Sequence, residues 1–135
     1  MNPLFHKIAL ICSTAILLNA CSYNESKPHP IALESSSGSN CSSMPTVIYQ
    51  QNDDDAVVTI MAGDKPTPGY GIDIIRSTLE KTNIEILFSI VGPPPGRMLP
   101  QMMTKPCLEI ALPNDNWQTI SVTSADSGQA WHFAR

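Results

Sequence analysis

Catalysis by a nucleophile and a general base would have to use one of the chain's few histidines. Outside the apolar N-terminal segment these are His29, in a stretch rich in serine and proline, and His132, in the C-terminal motif "WHF". That motif predicts a terminal strand with His132 on its solvent side. The chain also contains no GxSxG turn, which would present a serine nucleophile. We therefore expect no catalytic residues and a function other than that of an enzyme.

Two groups of side chains could be interpreted as metal ligands, but both fit other roles better. The three aspartates at 53–55 lack the glycine and the distal glutamate of a calcium loop and are typical of a solvated turn. Met98, Met102 and Met103 offer soft sulfur ligands, yet methionine more often fills a core or adapts to a partner's surface. We expect no metal site and no cofactor.

The cysteine at position 21 follows a segment typical of bacterial secretion signals. Lys7 precedes an apolar run at residues 8–18, which is too short to span a bilayer because a span needs about 20 apolar residues. The next motif, "LLNAC" at 17–21, resembles a lipobox. We predict a lipoprotein signal peptide at residues 1–20 and lipidation of Cys21, with acyl chains such as palmitate. The alternative is an ordinary signal followed by an unrelated cysteine.

The predicted lipid determines the expected location and part of the expected partners. Each buried CH₂ of an acyl chain contributes about 0.8 kcal/mol, so several chains on one cysteine form a stable membrane anchor. Ser22 stands where an aspartate would retain a Gram-negative lipoprotein at the inner membrane, which favours the outer membrane with the domain facing the periplasm. The formal net charge of −4 argues against nucleic acid as a partner, since an acidic surface repels phosphates.

Residues 21–43 are predicted to form a flexible tether between the lipid and a folded domain. The stretch contains few large apolar residues and includes the run "SSSGSN" at 35–40. Such a composition buries too little apolar surface to offset the entropy of ordering. A flexible coil of this length has a root-mean-square reach of about 25 Å.

From residue 44 to residue 135 the composition is that of a β-domain. Short apolar or alternating runs recur between glycine- and proline-rich turns, which is typical of strands. Residues 72–82 fit a helix or a strand, but their β-branched content favours a strand leading into a hairpin. We predict a small antiparallel β-sandwich or barrel of five to seven strands. The predicted strands lie at residues 46–49, 56–63, 72–82, 83–91, 107–112, 119–124 and 131–133.

Cys41 and Cys107 remain as a possible disulfide pair if Cys21 carries lipid. An oxidising compartment permits the bond. The bond would close a long loop and stabilise the domain by about 2–4 kcal/mol. The alternative is two unpaired thiols, with Cys41 exposed and Cys107 buried. Sequence spacing alone does not decide between them, because the bond depends on distance.

Two loops of the predicted domain have unusual compositions, "KPTPGY" at 65–70 and "GPPPGRMLPQMMTKP" at 92–106. In the first loop, Pro66 and Pro68 restrict φ while Gly69 permits a positive φ. In the second loop, three consecutive prolines favour a stiff polyproline II segment, which loses little conformational entropy on binding. So long an excursion in a small domain is usually functional when it is ordered.

Both loops resemble motifs of the C-terminal domain of the protease complex subunit PrcB family. Members of that family show a G-x-K-P-T-G-G-Y turn before a strand and, after a hairpin, a P-G-P-G-x-M-x-T-Q loop followed by T-x-P-Y. The resemblance covers roughly residues 56–113, and Pro68, Pro100 and Cys107 depart from the family pattern. The matching positions are Gly63, Lys65, Pro66, Thr67, Gly69 and Tyr70 in the first motif and Pro94 or Pro95, Gly96, Met98, Gln101, Thr104 and Pro106 in the second.

The resemblance implies a binding role, because PrcB-like proteins are named for associating with a secreted protease and stabilising it. "KPTPGY" is also similar to the loop that chagasin-type inhibitors insert into cysteine proteases, so inhibition is an alternative. The sequence is also compatible with a small-ligand-binding lipoprotein or a structural lipoprotein of the envelope. The partner-binding residues would be Lys65, Pro66, Thr67, Gly69, Tyr70, Pro94, Gly96, Arg97, Met98 and Gln101.

The strands between the two loops predict how the loops are placed. Antiparallel pairing would bring both loops to the same end of a hairpin, with Tyr70 beside Gly92. We expect Lys65 and Arg97 to be largely exposed at this joint surface and available to a partner. The alternative is a purely structural turn in which Tyr70 packs on a neighbouring strand.

Overall fold

The computed structural model describes residues 27–135, and every helix or strand assigned in this range is a β-strand. This confirms the mainly β fold expected from the sequence, although residues 27–135 contain nine strands where five to seven were predicted. The predicted signal peptide (1–20) and the predicted lipidation site Cys21 lie outside the described residues. The strands are β1 (His29–Pro30), β2 (Glu34–Gly38), β3 (Thr46–Gln51), β4 (Ala56–Met61), β5 (Gly71–Glu80), β6 (Asn83–Val91), β7 (Cys107–Leu112), β8 (Thr119–Ser124) and β9 (Ala130–Ala134).

The strands form the two sheets of a small β-sandwich. One sheet has the order β1-β5-β6-β8-β9 and the other has the order β2-β7-β4-β3. The pairs are antiparallel with one exception, because β6 and β8 run parallel. The exception corrects the expectation of a purely antiparallel fold. Its cause is a crossover: the chain passes to the other sheet as β7 before it returns beside β6 as β8.

The core lies between the two sheets and follows the period-two alternation of the strands. In β6, Ile84, Ile86 and Phe88 are buried while the residues between them are partly exposed. Val58 and Ile60 of β4 face them from the other sheet and are fully buried. Burying each such side chain contributes roughly 1.5–3 kcal/mol, so the alternation itself determines which face of each strand turns inward.

Residues 71–91 form the hairpin that carries both unusual loops. β5 and β6 pair from Gly71↔Val91 to Glu80↔Asn83, which resolves the ambiguous segment as a strand. Lys81, in the tight turn, has a φ of 56°. The register shifts between Ile74 and Arg76, so Ile75 is a bulged residue, and its side chain is exposed.

The segment before the domain is not a flexible tether throughout, which corrects the prediction for residues 29–38. β1 pairs with β5, and β2 pairs with β7 over five residues. Between them, Ile31 and Leu33 pack against the core. The serines of β2 are exposed, so they do not produce the apolar alternation by which a strand is recognised in a sequence. The pairing is formed by backbone N–H and C=O groups, which every residue except proline carries.

A disulfide joins Cys41 to Cys107, with Cα atoms 6.1 Å apart and a sequence separation of 66. Gly38 pairs with Cys107 across β2 and β7. A Cβ at Gly38 would lie 2.8 Å from the Cys107 sulfur, so this register needs a glycine there. Across residues 27–135, no helix is long and apolar enough to cross a membrane.

Candidate partner-binding surface

The two unusual loops lie at the same end of the β5–β6 hairpin. Gly71, directly after the first loop, pairs with Val91, directly before the second loop. The loops therefore start from adjacent strand ends, although about twenty residues of hairpin separate them in sequence. The expectation that antiparallel pairing brings them together is confirmed.

Two glycines allow the loops to contact each other. The Tyr70 ring packs on Gly92, where a Cβ would lie 3.4 Å from Tyr70 Cε1. Gly69 has a φ of +91°, and a Cβ on it would lie only 2.9 Å from Pro93 Cβ. Glycine satisfies both demands at this position, a positive φ and a close approach by a proline ring.

Hydrogen bonds connect the returning limb of the second loop to the first. Lys65 and Thr104 form an isolated antiparallel bridge, with N···O distances of 2.8 and 2.9 Å. The Thr104 hydroxyl also donates to the Thr67 carbonyl oxygen at 3.1 Å. The second loop is thus held against the first near both of its ends, through Pro93 and through Thr104. We call residues 65–70 and 92–104 together the loop surface.

The loop surface presents cations and methionines. Arg97 and Met98 are exposed, and Met102 and Met103 have 56% and 61% of their surfaces exposed. Lys65 is only half-buried rather than largely exposed, which corrects one expectation. Its Nζ lies 5.8 Å from the centroid of the Tyr70 ring, within reach of a cation–π interaction. The remaining predicted residues are at the surface or half-buried: Pro66, Gly69, Pro94, Gly96 and Gln101 are exposed, and Thr67 and Tyr70 are half-buried.

These side chains are suited to binding rather than to reaction chemistry. Lys65 and Arg97 place positive charge on a chain whose net charge is −4, which fits a partner with an acidic patch. Flexible, polarisable methionine side chains adapt to irregular apolar surfaces. The combination is typical of a protein–protein contact with an adaptable apolar part and a charged rim.

A serine–histidine pair lies elsewhere, on the outer face of the five-stranded sheet. Ser121 Oγ is 3.1 Å from His132 Nδ1. The register pairs Ser121 with Glu85 on one side and with His132 on the other, so the carboxylate is beside the serine instead of the imidazole. A catalytic triad needs the reverse order. Within residues 27–135, no cluster of three or more His, Cys, Asp or Glu side chains could hold a metal ion.

Thr104, in the loop surface, and Met44, outside it at the same end of the domain, were not among the predicted partner-binding residues. Thr104 matched the family motif, but its bond to the first loop depends on the fold. Met44 is 73% exposed and follows Ser43, whose carbonyl oxygen accepts a hydrogen bond from Asp64 N at 3.2 Å. Met44 therefore lies at the end of the domain that carries the first loop. No pattern in the sequence signals this proximity.

Comparison with known families supports the interpretation of the two loops. A family model described as PrcB C-terminal matches residues 56–113. The matched region runs from β4 to the residue after β7 and includes both loops, so the resemblance inferred from their motifs is confirmed. Neither the curated proteins nor the solved structures contain a significant match to the chain.

Proposed function

We propose that this protein is a non-enzymatic lipoprotein of the bacterial envelope whose loop surface binds a secreted or periplasmic protease and stabilises it. The family match supports a protease-associated role and covers both loops. The observation that carries the proposal is their convergence: Tyr70 packs on Gly92, and Thr104 bonds to Lys65 and Thr67.

Pre-organisation favours binding by such a surface. Contacts at Gly69, Gly92 and Thr104 hold the backbone of the two loops together before a partner arrives, so less backbone conformational entropy is lost in the complex. A turn that only reversed the chain would not require the second loop to pack on it.

A chain anchored at Cys21 would enter the domain at β1, which lies at the far end from the loop surface. β1 begins eight residues after Cys21, so His29 lies within about 29 Å of the lipidated residue. His29 pairs with Leu79, near the end of β5 that is opposite to Tyr70. At about 3.3 Å per residue, β5 separates the two ends by roughly 30 Å. The loop surface would then lie at the end of the domain that is farther from the point of attachment, where proteins of the periplasm can reach it.

The proposal is tested by capturing the partner from the native envelope with the tagged mature protein. A Lys65→Met, Arg97→Met variant removes the two cations of the loop surface while keeping apolar side chains of similar length. A Lys27→Met, Lys81→Met variant removes two exposed cations away from the loop surface, one before β1 and one in the β5–β6 turn, and serves as the matched control. We expect a protease to be recovered by the parent and the control and to be depleted with the loop variant.

Two results would contradict the proposal. One is equal recovery with all three proteins. The other is recovery of structural envelope proteins alone. A captured cysteine protease that loses activity on binding would instead assign the loop surface to an inhibitor of the chagasin type.

A further inference from the structure

One edge of the five-stranded sheet is only partly paired within the described residues. β5 has β6 on one side and β1 on the other. β1 covers only Thr78 and Leu79, and a single further backbone bond joins Ile31 N to Ser77 O at 3.1 Å. In residues 27–135, no strand pairs with the outer side of β5 from Gly71 to Arg76. A strand edge of this kind exposes backbone donors and acceptors to a binding partner.

A cleft of about 600 Å³ lies along this open edge, between the two sheets. β5 borders it on one side, and β2 and β7 border it on the other. The residues that line it include the apolar Ile72, Ile74 and Leu108, together with Asp73 and serines of β2 and β5. Residues 31–33 also line it where the chain crosses from one sheet to the other. Both features suit an extended peptide, which needs backbone pairing and pockets for alternate side chains.

The chain's own N-terminal segment shows that this edge accepts an antiparallel partner. His29 and Pro30 pair with Leu79 and Thr78 in that orientation. The Ser77 hydroxyl donates to the Ile31 carbonyl oxygen at 2.7 Å, where the segment leaves the edge. β5 thus pairs with the N-terminal segment through its C-terminal half, and the outer side of its N-terminal half has no pairing strand within the described residues.

The bulge at Ile75 limits the open stretch that can pair regularly to residues 71–74. In this stretch Ile72 is buried and Asp73 is exposed, so the two lie on opposite faces of the sheet. A docked strand would therefore alternate between apolar side chains towards the core and a side chain beside Asp73. A bulge also interrupts the regular pairing of a long strand along an exposed edge. The edge of β5 therefore favours a short segment of a partner.

We propose that an extended segment of a protein partner adds to β5 as an antiparallel strand along residues 71–74. Its inward side chains are apolar and cover Ile72, and a basic residue lies across from Asp73. The site continues directly from the loop surface, because Tyr70 precedes Gly71. The proposal rests on the proposed function in one respect, since the same partner would contact both regions. A second copy paired about Asp73 would oppose two carboxylates, which disfavours self-pairing.

The test uses a synthetic peptide, Thr-Val-Lys-Val-Thr, acetylated and amidated, and the full mature protein labelled with ¹⁵N in detergent micelles. Titration should shift the amide resonances of residues 71–76. Asp73→Lys should weaken binding of this peptide by roughly tenfold or more, and a peptide with Glu in place of Lys should bind the variant better than the parent. Asp54→Lys makes the same charge change in the exposed β3–β4 turn and should have no effect.

Backbone methylation separates strand addition from mere side-chain contact. The peptide's backbone amides can be N-methylated at every second residue in two ways, starting from an odd or from an even position. Only one of these two peptides should lose binding, because only alternate amides of an added strand face β5. Equal binding of both patterns, or a charge reversal without effect, overturns the proposal. So does a protein dimer that the peptide dissociates, since it assigns the edge to a second copy.

Capture of the native protease separates this inference from the proposed function. Loss of capture with Asp73→Lys, together with the peptide results, supports edge binding. Normal capture with Asp73→Lys but loss with Lys65→Met, Arg97→Met overturns edge binding and leaves the role of the loop surface intact. Loss with Asp73→Lys alone supports the edge and removes the loop surface from the interface.

Discussion

Tyr70 packs its ring on the bare backbone of Gly92, at the point where two loops from opposite strands of one hairpin meet. A Cβ at Gly92 would lie 3.4 Å from Tyr70 Cε1. The pair Gly71↔Val91 sets this proximity, because it fixes the strand ends from which both loops start. The aromatic ring therefore links the first loop to the second.

Gly69→Ala should be more destabilising than Gly96→Ala. Both glycines have a positive φ, 91° and 82°, so both alanines carry a similar backbone cost of about 1 kcal/mol. Only at Gly69 would the new Cβ clash, at 2.9 Å from Pro93 Cβ, whereas Gly96 has no atom within 4 Å. We expect a further loss of roughly 1–3 kcal/mol at Gly69, measured by urea unfolding. Equal losses would show that the loops do not press on each other there.

Thr104→Val should loosen the first loop without removing side-chain volume. The substitution deletes the hydroxyl that donates to Thr67 O and should cost about 1 kcal/mol. Hydrogen exchange of residues 65–70 should become faster. Thr119→Val, which removes the bond from Thr119 Oγ1 to Asn83 Oδ1, is the matched control and should leave this exchange unchanged. Unaltered exchange in Thr104→Val would exclude the hydroxyl as a clamp.

The disulfide should contribute substantially to stability because it closes a long loop. Alkylation of the denatured, non-reduced protein should label neither Cys41 nor Cys107. Reduction should lower the free energy of unfolding by roughly 2–4 kcal/mol. A Cys41→Ser, Cys107→Ser variant should have the lower stability from the start and should not respond to reductant. Labelling of both cysteines, with an unchanged melting temperature after reduction, would contradict the bond.

Cys21→Ser should prevent both processing and lipid attachment. The lipobox pattern predicts that the variant keeps its signal peptide and partitions differently between detergent and water. The measurement is phase separation followed by mass determination. Ser22→Ala, next to the predicted site, should be processed normally. A mature-sized Cys21→Ser protein in the detergent phase would refute the lipidation hypothesis.

The amino-acid sequence by itself determined the seven strands β3 to β9, the identity of the two loops and the family they resemble. Alternation such as Ile84, Ile86 and Phe88 is a local property with a period of two, so it can be recognised without the fold. The loop motifs are also local, because proline and glycine restrict or free φ at their own positions. The placement of both loops at one end of the hairpin is also predictable, because it requires only two adjacent strands joined by a short turn.

The tertiary structure alone decided which strands meet across the sandwich and which edges stay open. β1 and β2 join the sheets through backbone groups that serines share with every other residue, so composition misassigned residues 29–38. The parallel pairing of β6 with β8 depends on a crossover, and the proximity of Cys41 to Cys107 depends on β2 lying beside β7. Lys65 is half-buried where its backbone pairs with Thr104 and its Nζ lies near the Tyr70 ring. Contacts between distant segments depend on backbone pairing and packing across the whole domain, and no local pattern encodes them.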